Sequence, residues 1–383
     1  MLKKAIYAII AIYTYLCTNF MEQIPMIRED HMMKDQLLQV MIDNGGSDMY
    51  LTVDAHPAIK IGGDILRIDD GLEPFEAKDT QEFAESIITQ QQKDILDKTQ
   101  NLDFSFSFRE RRFRCNISFQ LGNYMVVLRL LTSDVPKLAD LGLTDAYSDI
   151  TKLGQGLVLV TGPTGSGKTT TLSAMIDHIN SNYAKHIITI EDPIEYVHKH
   201  KMSIIEHKEI GRDVPDYNTA LAGAMRQNPQ VILFGEMRTR AEMEMALTLA
   251  ETGHLVFSTL HTRSAYQTIS RIIDSFNGSD KDQVRLQLAD SLAAVFSQRL
   301  LKSQDGTGLR LVKEVLIKND AISNLIREND LHQIPSAIQT GWREGMRLLE
   351  QDIIELINTW FISEEEWYKY ANNPKLIKEG IQF

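Results

Sequence analysis

The segment Gly162–Thr169 constrains the fold of this chain more than any other stretch of its sequence. It reads G-P-T-G-S-G-K-T and matches G-x-x-x-x-G-K-T, the pattern of a phosphate-binding loop. Four apolar residues precede it, as in a buried strand, and apolar residues after it recur at helical spacing. A strand, a glycine-rich turn and a helix in this order predict an α/β domain whose loop surrounds phosphate oxygens with backbone N–H groups.

The residues of this loop have predicted roles in binding a nucleoside triphosphate. Lys168 is expected to reach the β- and γ-phosphates, and the hydroxyl of Thr169 is expected to hold Mg²⁺. The remaining positions of the predicted binding set are Gly162, Pro163, Thr164, Gly165, Ser166, Gly167 and Thr170. The sequence therefore predicts ATP and Mg²⁺ as the cofactors.

Three further apolar runs, each predicted to be a buried strand, end in polar residues. The runs end at Glu191, at Glu236 and at His261. In open parallel sheets, ligands bind beyond the carboxyl ends of the strands. We therefore expect these three side chains to converge with Lys168 on one nucleotide, although they are far apart in the sequence.

The residue types at these positions suit phosphoryl transfer to water. Glu236 is predicted to orient or deprotonate the attacking water, an effect typically worth ~10²–10⁴-fold in rate. Its alternative reading is a solvated glutamate at a strand end. Glu191, Asp192 and Glu195 form a second acidic cluster that could orient Mg²⁺-bound water or an arginine, although carboxylates beside a proline are also common in turns. His261 could sense the γ-phosphate or position the base, and a strand-end histidine can equally be structural.

Two arginines in the N-terminal third are candidates for neutralising charge in the transition state. Arg112 and Arg114 alternate on a predicted strand, so both point to one face. They could form a solvated edge, or they could reach a phosphate of their own subunit or of a neighbour. An arginine supplied by a neighbouring subunit is worth ~10³–10⁵ in rate.

The 383 residues are enough for two or three domains. The predicted organisation has five parts: an N-terminal extension (1–32), a smaller α+β domain (33–132), a linker (133–145), an α/β nucleotide-binding domain (146–320) and a C-terminal helical region (321–383). Helical spacing predicts helices over 282–301 and 345–360. The sequence at 363–366 reads as a capping box.

Composition excludes several classes of protein. The formal net charge of −12 argues against a protein that coats nucleic acid. Two distant cysteines are too few for a disulfide framework or a four-cysteine zinc site. Residues 5–17 are mostly apolar after two lysines, which resembles a signal-peptide core or weak anchor. The run is short for a membrane span, so a disordered tail or a later translation start is the alternative.

The order and spacing of four motifs resemble the PilT/PilU-type ATPases of the secretion ATPase superfamily. The motifs are G-P-T-G-S-G-K-T-T-T, I-T-I-E-D-P-I-E-Y, V-I-L-F-G-E-M-R and A-E-T-G-H-L-V-F-S-T-L-H-T, similar to that family's Walker A, Asp box, Walker B and His box. The N-terminal domain is also similar, through G-G-S-D-M-Y-L, P-A-I-K-I-G-G-D-I and R-F-R-C-N. The resemblance extends from about Met33 to the C-terminus.

This resemblance implies a PAS-like N-terminal domain, a RecA-like ATPase domain and a homohexameric ring that powers type IV pilus retraction. It implies that Lys168 and Thr169 bind phosphate and Mg²⁺, that Glu236 is the catalytic glutamate and that His261 is the His-box residue. Glu191, Asp192 and Glu195 would form the Asp box. The implied partners are an inner-membrane platform protein of the PilC type and a paralogous PilT or PilU motor, with no nucleic acid. The implied location is the cytoplasmic side of the inner membrane, at the pilus base.

Arg112 and Arg114 match the arginines that reach the nucleotide from the first domain in that family. Two departures leave the principal PilT role and an accessory, PilU-like role both open. Ser323 replaces the first arginine of the motif A-I-R-N-L-I-R-E, and Gln227–Gln230 lacks the acidic residues usual before Walker B.

Three other functions compete with retraction. A pilus-extension or type II secretion ATPase would usually carry a longer N-terminal region and a four-cysteine zinc insertion. A regulatory subunit would bind nucleotide without hydrolysing it, yet all the catalytic positions are filled here. A DNA-translocating motor is disfavoured by the negative charge, and salt-sensitive DNA binding would support it.

Overall fold

The computed structural model describes residues 32–69, 73–131, 134–143, 145–304, 308–359, 361–362, 367 and 369–380. Its internal contacts divide the chain into two compact units, with the division between residues 133 and 134. The N-terminal extension up to residue 31 and the predicted capping box at 363–366 lie outside the described residues.

The first unit is a six-stranded antiparallel sheet in the order β3-β2-β1-β6-β5-β4. Its elements are α1 (Met32–Asp43), β1 (Asp48–Leu51), β2 (Ala58–Ile61), β3 (Asp64–Arg67), α2 (Ala77–Ile87), α3 (Gln90–Thr99), β4 (Asn101–Phe108), β5 (Arg111–Gln120) and β6 (Asn123–Leu131). Apolar residues alternate along β5, where Phe113, Cys115 and Ile117 are buried in one core with residues of the three helices. Alternation therefore leaves Arg112 and Arg114 on the opposite face of the sheet.

The second unit contains a seven-stranded sheet in the order β13-β12-β7-β11-β10-β8-β9. Its strands are β7 (Gly156–Thr161), β8 (His186–Glu191), β9 (Ile204–Glu209), β10 (Val231–Phe234), β11 (Leu255–Leu260), β12 (Leu292–Lys302) and β13 (Leu309–Ile317). Its helices are α4 (Asp145–Ile150), α5 (Lys168–Asn182), α6 (Tyr217–Ala224), α7 (Arg240–Glu251), α8 (Ala265–Asp274), α9 (Asp280–Ser291), α10 (Asp320–Arg327), α11 (Ile334–Thr340), α12 (Leu349–Asn358) and α13 (Pro374–Gly380). Only β13 pairs in the antiparallel sense within this sheet.

Helices cover both faces of this sheet, so its central strands are buried on both sides. Every residue of β7 is buried. Leu157 and Leu159 pack with α6 to α11 on one face, and Val158 and Val160 pack with α4 and α5 on the other. Strands buried in this way read as continuous apolar runs, which is why four of them were visible in the sequence.

The predicted helix over 282–301 is wrong in its second half. α9 ends at Ser291 and β12 begins at Leu292, paired with β7 and β13. The apolar run at the start of β12 satisfies helical spacing because both faces of that strand are buried, so no alternation distinguishes it. The predicted helix over 345–360 is shorter in the structure, where α12 covers only Leu349–Asn358.

Candidate active site

The carboxyl ends of four neighbouring parallel strands, β7, β11, β10 and β8, form the edge at which the predicted site residues meet. Hydrogen bonds continue past the ends of the strands. The backbone N–H of Gly162 donates to the Leu260 carbonyl (3.2 Å), and that of Gly235 donates to the Ile190 carbonyl (2.9 Å). The segments that leave these strands therefore run side by side into the site.

The phosphate-binding loop can close only with glycine at its first position. Gly162 has φ +146°, and a Cβ there would lie 2.5 Å from the Gln298 carbonyl oxygen and 2.5 Å from Ser166 Oγ. Gly167 has φ +84° and immediately precedes α5. The loop therefore leads directly into the N-terminus of α5, where the partial positive charge of the helix favours binding of an anion.

Lys168, the first residue of α5, lies in the field of two acidic side chains. Its Nζ donates to the carbonyls of Gly162 (2.9 Å) and Pro163 (3.1 Å). Burial lowers the pKa of Lys168, while the charges of Glu236 and Glu195 act in the opposite direction. The ammonium group is therefore within the electrostatic influence of both carboxylates, one from the Walker B-like segment and one from the Asp-box-like segment.

Two features of the loop fit a bound phosphate. Ser166 Oγ is buried and has no hydrogen-bond partner, although buried polar atoms normally have one. The Nζ of Lys168 is bonded to carbonyls of the loop itself, a position from which it can turn toward a phosphate oxygen. Within the described ranges, no cluster of three or more His, Cys, Asp or Glu could hold a metal.

Glu236 contacts two cationic or ionisable side chains. Its Oε1 lies 3.2 Å from His261 Nε2, and its Oε2 accepts a hydrogen bond from Arg238 Nε at 2.8 Å. The side chain of Glu236 is 21% exposed, so water can reach the carboxylate beside its two partners.

The backbone around Glu236 is fixed by residues that the sequence reasoning missed. Thr259 of β11 donates its hydroxyl to the Gly235 carbonyl (2.7 Å) and accepts at its own carbonyl from Met237 N (3.0 Å). Glu242 of α7 accepts from the backbone N–H of Arg238 (2.7 Å) in a capping box that begins α7. The capping box could have been found from its sequence signature, T-x-x-E. The role of Thr259 depends on strand pairing, which has no local sequence signature.

The acidic cluster lies at the end of β8 and in the segment after it. Glu191 is buried as the last residue of β8, and Glu195 is half-buried. The backbone N–H of Ile194 donates to the carboxylate of Glu209 (3.3 Å), which is itself 1% exposed. β9 therefore holds the segment that carries Glu195.

The structure places Arg112 and Arg114 on β5 of the first unit. Arg114 forms an ion pair with Asp103 of β4, and Arg112 contacts the hydroxyl of Ser105. Both arginines face the same side, as the alternation predicts.

A buried polar layer lies behind the loop, on β12 and β13. Arg299 donates to the carbonyls of Gln298 (2.9 Å) and Arg263 (2.9 Å), so it links the oxygen beneath Gly162 to the segment after His261. Glu314 accepts from Ala265 N at 2.6 Å. Because β12 was predicted to be helical, this layer was invisible in the sequence.

Comparison with known proteins assigns the family. A family model described as "Type II/IV secretion system protein" matches residues 28–360. The chain belongs to this family. A "Twitching motility protein" of Neisseria gonorrhoeae is 43% identical over 83% of this chain and 85% of its own length. The "Type IV pilus retractation ATPase PilT" of Pseudomonas aeruginosa is 41% identical over 89% of this chain and 98% of its own length.

A solved structure agrees with the architecture of this secretion ATPase. The crystal structure of the pilus retraction motor PilT with bound ADP has a TM-score of 0.85 and 42% identity, covering 90% of this chain and 98% of that one. The predicted α/β ATPase fold with a smaller α+β first domain is therefore confirmed, as is the predicted ATPase class. Among the described residues, no helix is long and apolar enough to cross a membrane.

The buried carboxyl of Glu314 gives this secretion ATPase a testable pH dependence. Burial raises the pKa of Glu314 from its usual 4.5 to about 7. Between these values the folded protein retains a proton that the unfolded chain releases, so stability falls as pH rises through this window. Since one pKa unit corresponds to ~1.4 kcal/mol, the loss is about 3 kcal/mol. Replacing Glu314 with glutamine should remove this slope, because the amide oxygen can still accept from Ala265 N.

Urea denaturation between pH 5 and pH 8 measures this effect. All three tryptophans follow residue 341, so their fluorescence reports on the second unit. The free energy of unfolding of E314Q minus that of the unmodified protein should rise by about 3 kcal/mol as the pH is raised from 5 to 8. The exposed Glu328, replaced by glutamine, is the control and should leave the pH dependence unchanged. Parallel curves for E314Q and the unmodified protein would exclude Glu314 as the source.

Proposed function

We propose that this chain is the ATP-hydrolysing motor of type IV pilus retraction. The observation that carries the hydrolytic step is the Glu236 side chain, in contact with His261 and Arg238 and close to Lys168. A protein that only bound nucleotide would have no use for a carboxylate held in this way beside the phosphate-binding loop. The assignment to retraction is supported by relatives that are named for twitching motility and pilus retraction.

Each site residue has a proposed part in the reaction. The loop from Gly162 to Thr170 binds the phosphates, and Lys168 neutralises the charge that develops on them. The Thr169 hydroxyl would hold Mg²⁺, with Glu191 and Glu195 acting on its bound water, and the ion would supply positive charge that offsets the charge of the phosphates. Glu236 orients the attacking water and accepts its proton, and His261 holds the orientation of Glu236.

We further propose that the chain acts as a homohexameric ring, in which Arg112 and Arg114 complete a nucleotide site. The proposed partner is a platform protein of the inner membrane, with the motor on the cytoplasmic side at the pilus base. These assignments follow from the family resemblance and are supported by the two arginines sharing one face of β5. A paralogous motor of the PilT or PilU type is a further proposed partner.

An accessory, PilU-like role is the second candidate, and its sequence evidence includes Ser323. That residue is buried in α10, and its hydroxyl donates to the Ala289 carbonyl of α9 at 3.0 Å. The departure from the family motif therefore lies in the packing of α10 on α9 and leaves every residue of the ATPase site in place. This favours a hydrolysing motor in either role.

Deletion of the gene, followed by scoring of surface pili, tests the proposal. We expect excess unretracted pili and loss of twitching, both restored by the unmodified gene and not by a gene encoding Glu236→Gln. Absent pili would instead indicate an extension motor. Normal piliation with full twitching would indicate an accessory subunit whose partner motor suffices.

A further inference from the structure

The segment between β8 and β9, residues 192–203, carries Glu195 and has no regular secondary structure. We call it the Asp-box segment. Such a segment would ordinarily be mobile, yet His198 and Ser203 within it are buried. Its position is therefore set by side chains of neighbouring elements.

Helix α5, which begins at Lys168, holds the outer half of this segment through Asn180. The Asn180 amide donates to the Lys199 carbonyl (2.8 Å) and accepts from Lys201 N (3.2 Å), and its own carbonyl accepts from Met202 N (2.9 Å). Asn180 is fully buried. These contacts fix the backbone after His198 but do not reach Glu195.

His198 holds the middle of the segment, after the two residues that flank Glu195. Of those two, Ile194 donates its backbone N–H to Glu209 (3.3 Å), and the Tyr196 hydroxyl lies 3.3 Å from Thr170 Oγ1. The Nε2 of His198 lies 3.3 Å from Ser173 Oγ, and its Nδ1 lies 3.7 Å from Asp177 Oδ1, both on α5. Contact with His198 is the largest cause that lowers the pKa of Asp177 to about 2, and Lys201 lowers it further. The imidazole is therefore anchored to the helix that carries Lys168.

The other side of His198 is anchored to the sheet. Its ring stacks on that of His207 in β9, with centroids 5.7 Å apart and planes at 9°. Its backbone N–H donates to His207 Nε2 (3.1 Å), and His207 Nδ1 lies 2.8 Å from Thr189 Oγ1 in β8. His198 and His207 together thus connect α5, β8 and β9 around the Asp-box segment.

The residues of α5 that contact His198 follow Lys168 closely in the sequence. Ser173 and Asp177 follow Lys168 by about one and a half and two and a half helical turns. Glu195 lies three residues before His198, and the hydroxyl of its neighbour Tyr196 lies 3.3 Å from Thr170 Oγ1 in the first turn of α5. A movement of His198 would therefore change the distance between the carboxylate of Glu195 and the ammonium of Lys168.

We propose that His198 is a positioning residue that holds Glu195 at its place beside Lys168. The proposal rests on the proposed function for the role of Glu195 toward Mg²⁺-bound water. The competing explanation is that His198 only stabilises the fold. The two differ in one respect: a positioning residue acts through Glu195, so its removal has no further effect once Glu195 has been neutralised.

A double-mutant cycle with His198→Phe and Glu195→Gln tests this difference. The readouts are the Mg²⁺ concentration for half-maximal ATP turnover and the affinity for a fluorescent ADP with and without Mg²⁺. We expect each single variant to raise the half-maximal Mg²⁺ concentration about tenfold, as for groups that orient metal-bound ligands. ADP affinity in EDTA should stay within about twofold, and the double variant should match E195Q alone.

Two further variants keep the test decisive. Ser173→Ala removes one contact of His198 and should shift the Mg²⁺ requirement in the same direction by about threefold, the loss of one hydrogen bond. The control is His178→Phe on the same helix, where the ring contacts Tyr183, and it should leave every readout unchanged. The proposal would be overturned if the increase in half-maximal Mg²⁺ concentration in the double variant equalled the product of the two single increases. It would also be overturned if E195Q had an unchanged Mg²⁺ requirement.

Failure of the proposed function gives a different result. A ring without any ATP turnover would refute the motor assignment, while the cycle could still be read from Mg²⁺-dependent ADP binding. Coupling between His198 and Glu195 in that binding assay would then support the positioning role alone.

Discussion

Replacing Glu236 with glutamine is expected to reduce ATP turnover by ~10²–10⁴-fold, the usual value of a positioned general base. Glutamine preserves the volume of the side chain and an oxygen that can accept from Arg238 Nε, so the local structure should persist. The negative charge that orients and deprotonates water is lost. Phosphate release measures turnover, and a fluorescent ADP should bind with an affinity within a few-fold of the unmodified protein.

The matched control for this variant is Glu244→Gln, an exposed glutamate on α7, the helix that follows the Walker B-like segment. It removes the same charge from the same region and should leave turnover unchanged. Full turnover in E236Q would refute the assignment of the base. Loss of ADP binding in E236Q would mean that Glu236 contributes to binding, contrary to the roles proposed above.

The positions of the strand ends around Glu236 could be predicted from the sequence because both faces of this sheet are covered by helices. β7, β8, β10 and β11 are covered on both faces, so each appears as an unbroken apolar run that stops where the backbone emerges at the edge. The polar residue after each run then marks the site. The same physical cause concealed β12, whose apolar start fits helical spacing as well as it fits a buried strand.

Other parts of the site depend on contacts that no local pattern encodes. The buried Ser297, Gln298 and Arg299 would be costly in an apolar strand without partners. Their partners are Thr161, Thr171 and the Arg263 carbonyl, which lie 36 to 136 residues away in the sequence. β9 was missed for a related reason, since it is an edge strand in which polar residues alternate irregularly with apolar ones.

His198 shows the same limit for a single residue. From sequence alone, a histidine in H-K-H-K reads as part of a solvated charged stretch. In the structure it is 6% exposed and lies between Ser173 and His207. Its burial follows from the crossing of the Asp-box segment over α5, which is a property of the tertiary fold.

Mixing Arg112→Ala subunits into rings of the unmodified protein is expected to lower ATP turnover more steeply than dilution alone. If Arg112 supplies charge to a neighbour's nucleotide, a ring composed only of the variant should lose ~10³–10⁵ in rate. In a mixed ring, each variant subunit would disable a site that it does not itself contain, and in a ring whose sites act in turn one disabled site also stops the others. Rings assembled at known ratios, with phosphate release plotted against the fraction of variant, measure this effect.

Arg111→Ala is the matched control because it removes an arginine from the adjacent position of β5, where the side chain points to the opposite face. Its mixtures should keep full activity at every ratio. Arg114 shares the face of Arg112 but is paired with Asp103, so its substitution would also leave a carboxylate without its partner. Arg112 contacts the hydroxyl of Ser105 and is the position tested. A loss strictly proportional to the variant fraction would mean that Arg112 acts within its own subunit, and an unchanged rate would remove it from the reaction.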